Sequence, residues 1–387
     1  MYYFDWRTWR KMLSLAWREQ NPRNRRQLLF TLLLVVPGAA SVHALCFWLD
    51  PFLFPALRRT RVVAPVFILG HARSGTTLLH RLMSRDAERF SAFRLWELFF
   101  PSLLEKRVIL GLAALDARWL GGRLALRVRA WEERKFGKTR HLHPMGLSEP
   151  EEDDGVLTHS CASGAWIVRF PYLGELDFYH VDERPERERR RLMRFYAECV
   201  RRQLCSNGCD RIHLSKNPIF AGRVEALLET FPDARFVVPF RNPYETIPSL
   251  LKLMQVGWRM RRWSEDEMQR SLRVLAEQSY HTYRYPLEVL ARHPETRHAI
   301  VDYAELVAEP KQVVTQVYAS LGLPMTPAYA EILAGEERKA RAHETTHAYA
   351  LAEFGLRAET IRAELADLFE RFAWQEPPAR QAAAGEA

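Results

Sequence analysis

The chain has 387 residues, 48% of them hydrophobic, which suits one large α/β domain or two small ones with a sizeable core. Its five cysteines are odd in number and irregularly spaced, which excludes a disulfide-stapled secreted scaffold and points to reduced thiols and a cytosolic main domain. The formal net charge is +9, and residues 1–26 hold seven basic against two acidic side chains, a basic end suited to nucleic acid or anionic lipid.

In that first segment Trp6, Trp9 and Trp17 are interleaved with arginines, a pattern of interfacial amphipathic helices. Residues 28–49 follow with no formal charge over 22 residues, close to the length of about 20 that spans a bilayer. Pro37-Gly38 interrupts this run and is expected to kink or reverse it. Arg58, Arg59 and Arg61 make the far flank basic as well, so charge gives no orientation. The expectation is a monotopic or re-entrant hydrophobic hairpin with both flanks on the cytoplasmic face; the alternative is a buried core helix. The run lies too far in, and lacks a small-residue cleavage pattern, for a cleaved signal. Residues 1–61 thus read as a basic amphipathic and hydrophobic membrane-docking segment, 62–375 as the main domain, and the Pro- and Ala-rich 376–387 as a disordered tail.

Residues 65–69 read as a short buried strand entering a loop bounded by Gly70 and Gly75, then a helix over 76–87. Two glycines separated by four residues match a nucleotide-binding P-loop, whose backbone N–H groups and helix N-terminus face a phosphate. Thr76 stands where the nucleoside-triphosphatase loop has lysine, and the nearest fixed cation is Arg73. The loop can hold a phosphate-like anion, but nothing in it reaches β- and γ-phosphates as that lysine does. This argues against ATP or GTP cleavage; the bland alternative is a chance glycine-bounded turn.

Residues 100–140 read as helical with scattered arginines, in part a lid. Ser148-Glu-Pro-Glu-Glu-Asp-Asp154 has the look of a helix opening, a capping residue followed by acids. A charged helix over 183–204 precedes strand 212–216, helix 219–231, strand 235–240 and helix 245–256. A long helix spans 265–293, strand 298–302 follows, then helices over 304–322, 326–334 and 357–374. Strands alternating with helices imply a parallel sheet covered on both faces. The expected architecture is α/β, a P-loop-like three-layer fold with an added N-terminal hydrophobic helical segment. Cys205, Cys209 and His213 are evenly spaced, but Asn207-Gly208 breaks any helix that would align them, so no metal site is expected there.

Arg73-Ser74-Gly75-Thr76-Thr77 after an apolar strand resembles the 5′-phosphosulfate loop of sulfotransferases. Residues 212–218 (Ile-His-Leu-Ser-Lys-Asn-Pro) resemble the family strand that ends in a lysine beside the transferring group. Residues 234–249, a strand, Arg241, a turn, a helix and Ser249, resemble its 3′-phosphate motif. Residues 301–310 and 347–356 are similar to later family segments, and all occur in family order over roughly residues 62–375. The resemblance, to the broad branch with bacterial and tyrosylprotein members, implies 3′-phosphoadenosine 5′-phosphosulfate (PAPS) as donor, a hydroxyl acceptor, and no required metal. It implies that Ser74, Gly75, Thr76, Thr77 and Leu78 hold the 5′-phosphosulfate with Arg73, and that Arg241 and Ser249 hold the 3′-phosphate. Arg73 and Lys216 are expected to stabilise the transition state. Glu97, between Trp96 and Phe99-Phe100, is the expected base, although its spacing from Arg73 differs from the tyrosylprotein pattern by a few residues. His141 and His143 are rivals for that role. Residues 149–154 are read either as acceptor-site lining or as a solvated helix start. A lipid-like or membrane-associated acceptor follows from location alone, and no nucleic-acid partner is expected. The alternatives are a P-loop-type nucleotide kinase or NTPase, which would need the loop lysine and an aspartate at a strand end, and a non-enzymatic basic membrane-binding protein.

Overall fold

A computed structural model describes residues 2–137, 146–340 and 351–375. In chain order the elements are α1 (Trp6–Arg18), α2 (Pro22–Phe30), a π-helical turn (Thr31–Val35), α3 (Val36–Leu53), β1 (Val66–Ile68), α4 (Thr76–Ser84), β2 (Phe90–Ser91), α5 (Leu95–Phe99), α6 (Leu103–Trp119) and α7 (Arg123–Phe136). Two 3-10 helices, Asp153–Ser160 and Gly164–Val168, lead to α8 (Glu186–Asn207), β3 (Ile212–Lys216), α9 (Val224–Thr230), β4 (Arg235–Phe240), α10 (Pro243–Met260) and α11 (Glu265–Arg292). The chain continues through β5 (His298–Asp302), α12 (Tyr303–Ala308), α13 (Pro310–Ser320), α14 (Pro327–Ala340), α15 (Ala358–Glu364) and α16 (Ala366–Phe372).

The five strands form one parallel sheet in the order β2-β3-β1-β4-β5. Alternation along the strands feeds two cores. Phe67, Leu69, Phe236, Val238 and Phe240 pack with residues of α8, α10 and α11 on one face. Val66, Ile68, Val237 and Val301 pack with residues of α4, α13 and α14 on the other. The register sets Ile68 of β1 beside Lys216 of β3 and Val237 of β4, so the carboxyl ends of three strands open at one edge. Ligands of open α/β sheets bind there.

Several predicted helices are subdivided for local reasons. Pro310 has no N–H to continue α12 and instead starts α13, where its fixed φ is already helical. Helix 219–231 begins as a 3-10 segment, Pro218–Gly222, because Arg223 leaves the helical region (φ −144°, ψ 32°). The last helix breaks at Leu365 (φ −126°, ψ 28°).

The N-terminal run does not reverse. Pro22–Leu53 is one continuous helix of 32 residues, long and apolar enough to cross a membrane by length and composition. Pro37 has no N–H to give to the preceding turn. The π turn just before it, in which Val36 N–H reaches Thr31 O, takes up the ring's steric demand. Residues 2–61 are fastened to the rest of the molecule. Tyr3, Met12, Leu15, Leu28, Leu32, Val36 and Phe47 belong to the larger core. Asp50 is buried, pairs with Arg202 of α8 at 2.7 Å, and accepts from Leu103 and Leu104 N–H at the start of α6. The disordered-tail expectation and the histidines His141 and His143 lie outside the described residues, as do residues 347–350 of the segment 347–356.

Candidate active site

The loop between β1 and α4 is held from three sides. Leu69 N–H donates to Val237 O, and Asn217 N–H donates to Ile68 O. His71 is buried, shares hydrogen bonds with Ala72 O (2.6 Å) and Ser279 Oγ of α11 (2.9 Å), and stacks on Tyr283 at 5.0 Å. Burial pushes its pKa down to about 4, so the ring is neutral at pH 7. Gly75 caps α4 at φ 85°, and a Cβ there would lie 2.6 Å from Cδ2 of Tyr303. Only glycine meets both demands. Arg73 also has a left-handed backbone, φ 73°, an unusual state for a residue with a side chain. Ser74 and Thr76 are buried, and Thr77 and Leu78 are half-buried in the first turn of α4.

Arg73, Arg241 and Ser249 come together although they are far apart in sequence. Arg73 Nε donates to Ser249 Oγ at 3.2 Å, and Arg241 Nη1 donates to the Arg73 carbonyl at 3.4 Å. Arg241 follows β4, lies over the Tyr303 ring at 4.3 Å and is paired with Glu245 at 2.5 Å. Tyr283 ties the group together by donating to Arg241 O at 2.7 Å. Two guanidinium groups, a hydroxyl and a helix N-terminus thus share one strand-end cleft, a donor set suited to an anion with two charged ends.

Lys216 ends β3 at the same sheet edge, 2% exposed, with its Nζ 2.7 Å from Glu152 Oε1 and 4.0 Å from Glu151 Oε1. The expected solvated helix start is not what forms here. The acid run spreads over six partners. Glu151 and Glu152 face Lys216. Asp153 is buried and accepts from the Tyr196 hydroxyl and Ser215 Oγ (2.9 Å) and meets His213 Nε2 (3.1 Å). Asp154 is buried, accepts from Ser163 Oγ at 2.6 Å and faces Arg223 at 3.3 Å. Those bonds pin the run against β3, and Glu152 keeps 45% of its side chain open.

Glu97 is not brought to this cleft as a free base. It is 1% exposed, pairs with Lys106 at 3.0 Å, accepts from Asn207 Nδ2 at 3.0 Å, and closes the first turn of α5 by accepting from Arg94 N–H. The carboxylate expected as base is instead half of an enclosed ion pair, whose Lys106 lies over the Phe93 ring at 5.2 Å. Burial pushes the Lys106 ammonium down from its ordinary value, and Glu97 pulls it back up. Cys205 and Cys209 are likewise remote in role from His213, which is buried on Asp153. Sequence reasoning passed over His71 and Tyr283, and it took Glu152 only as one of a run, 149–154, that could line the acceptor site. The signal for Glu152 was present: four consecutive acids after a proline need cationic or hydroxylic partners if they are not solvated.

A parallel sheet of this order with a glycine-bounded P-loop-like turn between β1 and α4 defines a three-layer α/β protein. The chain belongs to the sulfotransferase family, whose profile matches residues 65–327. It is similar to the omega-hydroxy-beta-dihydromenaquinone-9 sulfotransferases Stf3 of Mycobacterium bovis and Mycobacterium tuberculosis, 27% identical over 268 residues. That match covers 67% of this chain and 63% of those proteins. Among solved structures, sulfotransferase STF9 from Mycobacterium avium is similar with a TM-score of 0.72 at 21% identity, covering 96% of this chain and 93% of that one. Sulfotransferase STF1 from Mycobacterium tuberculosis gives 0.64 at 20% identity, covering 93% and 92%. Both likenesses are of fold.

Proposed function

We propose that this chain transfers the sulfuryl group of PAPS to a hydroxyl of a lipid-like acceptor at a membrane surface. The observation that carries the reading is the junction of Arg73, Arg241 and Ser249 beside the loop 70–75, with Lys216 at the neighbouring strand end. The donor set fits the nucleotide. Loop N–H groups of Ser74 to Leu78 face its 5′ end, Arg241 and Ser249 its 3′-phosphate. Asn217 Nδ2, buried beside Lys216 and without a hydrogen-bond partner in the protein, adds a donor. Two cations and main-chain amides match a dianion better than they match magnesium-bound ATP, since β3 and β4 end in Lys216 and Phe240-Arg241 where a metal-binding aspartate would be needed.

In the transfer, the acceptor oxygen forms a bond to sulfur as the sulfur–oxygen bond to adenosine 3′,5′-bisphosphate breaks, and the acceptor proton passes to a carboxylate. Glu152 is the carboxylate placed for that step. It neutralises Lys216 when no sulfuryl group is present. As Lys216 turns to the sulfuryl oxygens, Glu152 is released to take the proton. Arg73, whose planar fork can bridge two oxygens, offsets charge on the donor side.

The lipid-like acceptor rests on the apolar helix Pro22–Leu53 and on the relatives, whose names state a menaquinone-derived substrate. The five free thiols support a cytoplasmic catalytic domain. The test is direct. Thermal shift with adenosine 3′,5′-bisphosphate should exceed that with magnesium-ATP, and radiolabelled PAPS with a host lipid extract should give a labelled lipid. Preferential stabilisation by magnesium-ATP would overturn the reading in favour of a kinase.

A further inference from the structure

Helices α6 and α7 form a hairpin, turned at Gly121-Gly122, that shows solvent an apolar face with no partner among the described residues. On α6, Val108, Leu112, Leu115 and Trp119 recur at i, i+4, i+7 and i+11, and all are more than half exposed. On α7, Leu124, Val128 and Trp131 repeat the spacing, and α7 buries none of its residues. Such stripes normally face a core. The inward side of α6 is occupied, since Leu103, Glu105 and Lys106 are buried there, and His43 of α3 bonds Glu105 at 2.6 Å.

The hairpin lies beside a second exposed apolar face. Helix α3 packs on α6 through its buried residues and turns Val42, Leu45, Trp48 and Phe52 outward. Arg107, Arg118, Arg123, Arg127, Arg129, Arg134 and Lys135 accompany the apolar residues of the hairpin. Against them stand Asp116, whose carboxylate caps α7 by accepting from Leu124 and Ala125 N–H, and the pair Glu132 and Glu133. Tryptophans at the ends of apolar stripes with arginines beside them match the boundary between acyl chains and anionic headgroups.

We infer that the α6–α7 hairpin is a second membrane-contact element, joining the outward face of α3 to seat the protein on an anionic bilayer. This extends the membrane reading above but does not depend on the sulfuryl chemistry. It assigns membrane contact to residues 103–136, well inside the main domain, in addition to the N-terminal segment. The partner is a lipid surface, because exposed stripe and cationic rim occur together; a second copy of this basic chain would bring like charge to the rim.

The test uses the full chain and sedimentation with vesicles of phosphatidylcholine alone or with a third phosphatidylserine. The variant Leu112→Gln/Leu115→Gln/Leu124→Gln/Trp131→Gln should lower partition onto anionic vesicles by about tenfold or more. Its stabilisation by adenosine 3′,5′-bisphosphate should be unchanged, which separates this inference from the sulfotransferase reading. A second measurement holds even if that variant misfolds. Brominated lipid should quench wild-type tryptophan fluorescence more than that of Trp119→Tyr/Trp131→Tyr. Equal quenching, or unaltered partition of the folded quadruple variant, overturns the proposal. So does a shift from dimer to monomer in that variant with no change in vesicle binding, which would assign the face to a second copy.

Discussion

Lys106–Glu97 and Lys216–Glu152 are the same two side chains in the same contact, 3.0 Å and 2.7 Å apart, with buried lysines but carboxylates of opposite exposure. In the first, between α5 and α6, the carboxylate is 1% exposed and every bond it makes is internal. In the second, at the carboxyl edge of the sheet, the lysine is 2% exposed but the carboxylate is 45% exposed. A buried pair with both members enclosed fixes local packing. A pair with one member open can exchange partners when a ligand arrives. Chemistry needs the second kind, and residue type alone does not distinguish them.

The sharpest way to break this comparison is to neutralise each glutamate. Glu152→Gln is expected to lower sulfuryl transfer by about 10³-fold while thermal stabilisation by adenosine 3′,5′-bisphosphate persists. Glu97→Gln should leave turnover per folded molecule within a few-fold; the reverse pattern restores Glu97 as base. Lys106→Met comes next. It strands Glu97 without a counter-charge in an enclosed site and should cost about 3–5 kcal/mol, read from urea midpoints. Adding Glu97→Gln to it should recover most of that loss, which a simple packing role for Lys106 would not produce.

Acid pH probes the loop side of the same edge. His71 and His80 are both buried, with pKa values pushed down by burial to about 4 and about 3. The unfolded chain, at about 6.5, therefore binds protons first as pH falls. Their contribution to stability is complete above pH 6.5 and declines through that value toward 4, by roughly 2 kcal/mol per histidine at pH 5. Unfolding at pH 7, 6 and 5 checks this, and His71→Asn should flatten the slope. The smallest effect is expected for Arg241→Ala, about a tenfold loss of nucleotide affinity by calorimetry, because Glu245 already competes for that guanidinium. Arg241→Ala should weaken adenosine 3′,5′-bisphosphate far more than adenosine 5′-phosphate.

The strands and the glycine-bounded loop were legible because their signals are local. An apolar run ending in glycine gave β1 and its loop, and strands 212–216, 235–240 and 298–302 coincide with β3, β4 and β5. The meeting of Arg73, Arg241 and Ser249 was legible only through the resemblance, since 176 residues separate Arg73 from Ser249. What was missed depends on distant partners. The acid run reads as solvated until Tyr196, His213, Lys216 and Arg223 are seen to fold back on it. Glu97 reads as a free carboxylate until Lys106 and Asn207 close on it. The hairpin expected at Pro37-Gly38 fails for another reason: a widened turn can absorb a proline, and Gly38 has open space around it.

Tyr303 touches both the loop after β1 and Arg241. Its edge fills the space that Gly75 leaves empty, and its face carries the Arg241 guanidinium. One aromatic plate therefore ties the backbone turn at Gly75 to the aim of the Arg241 guanidinium, so trimming it would loosen both at once.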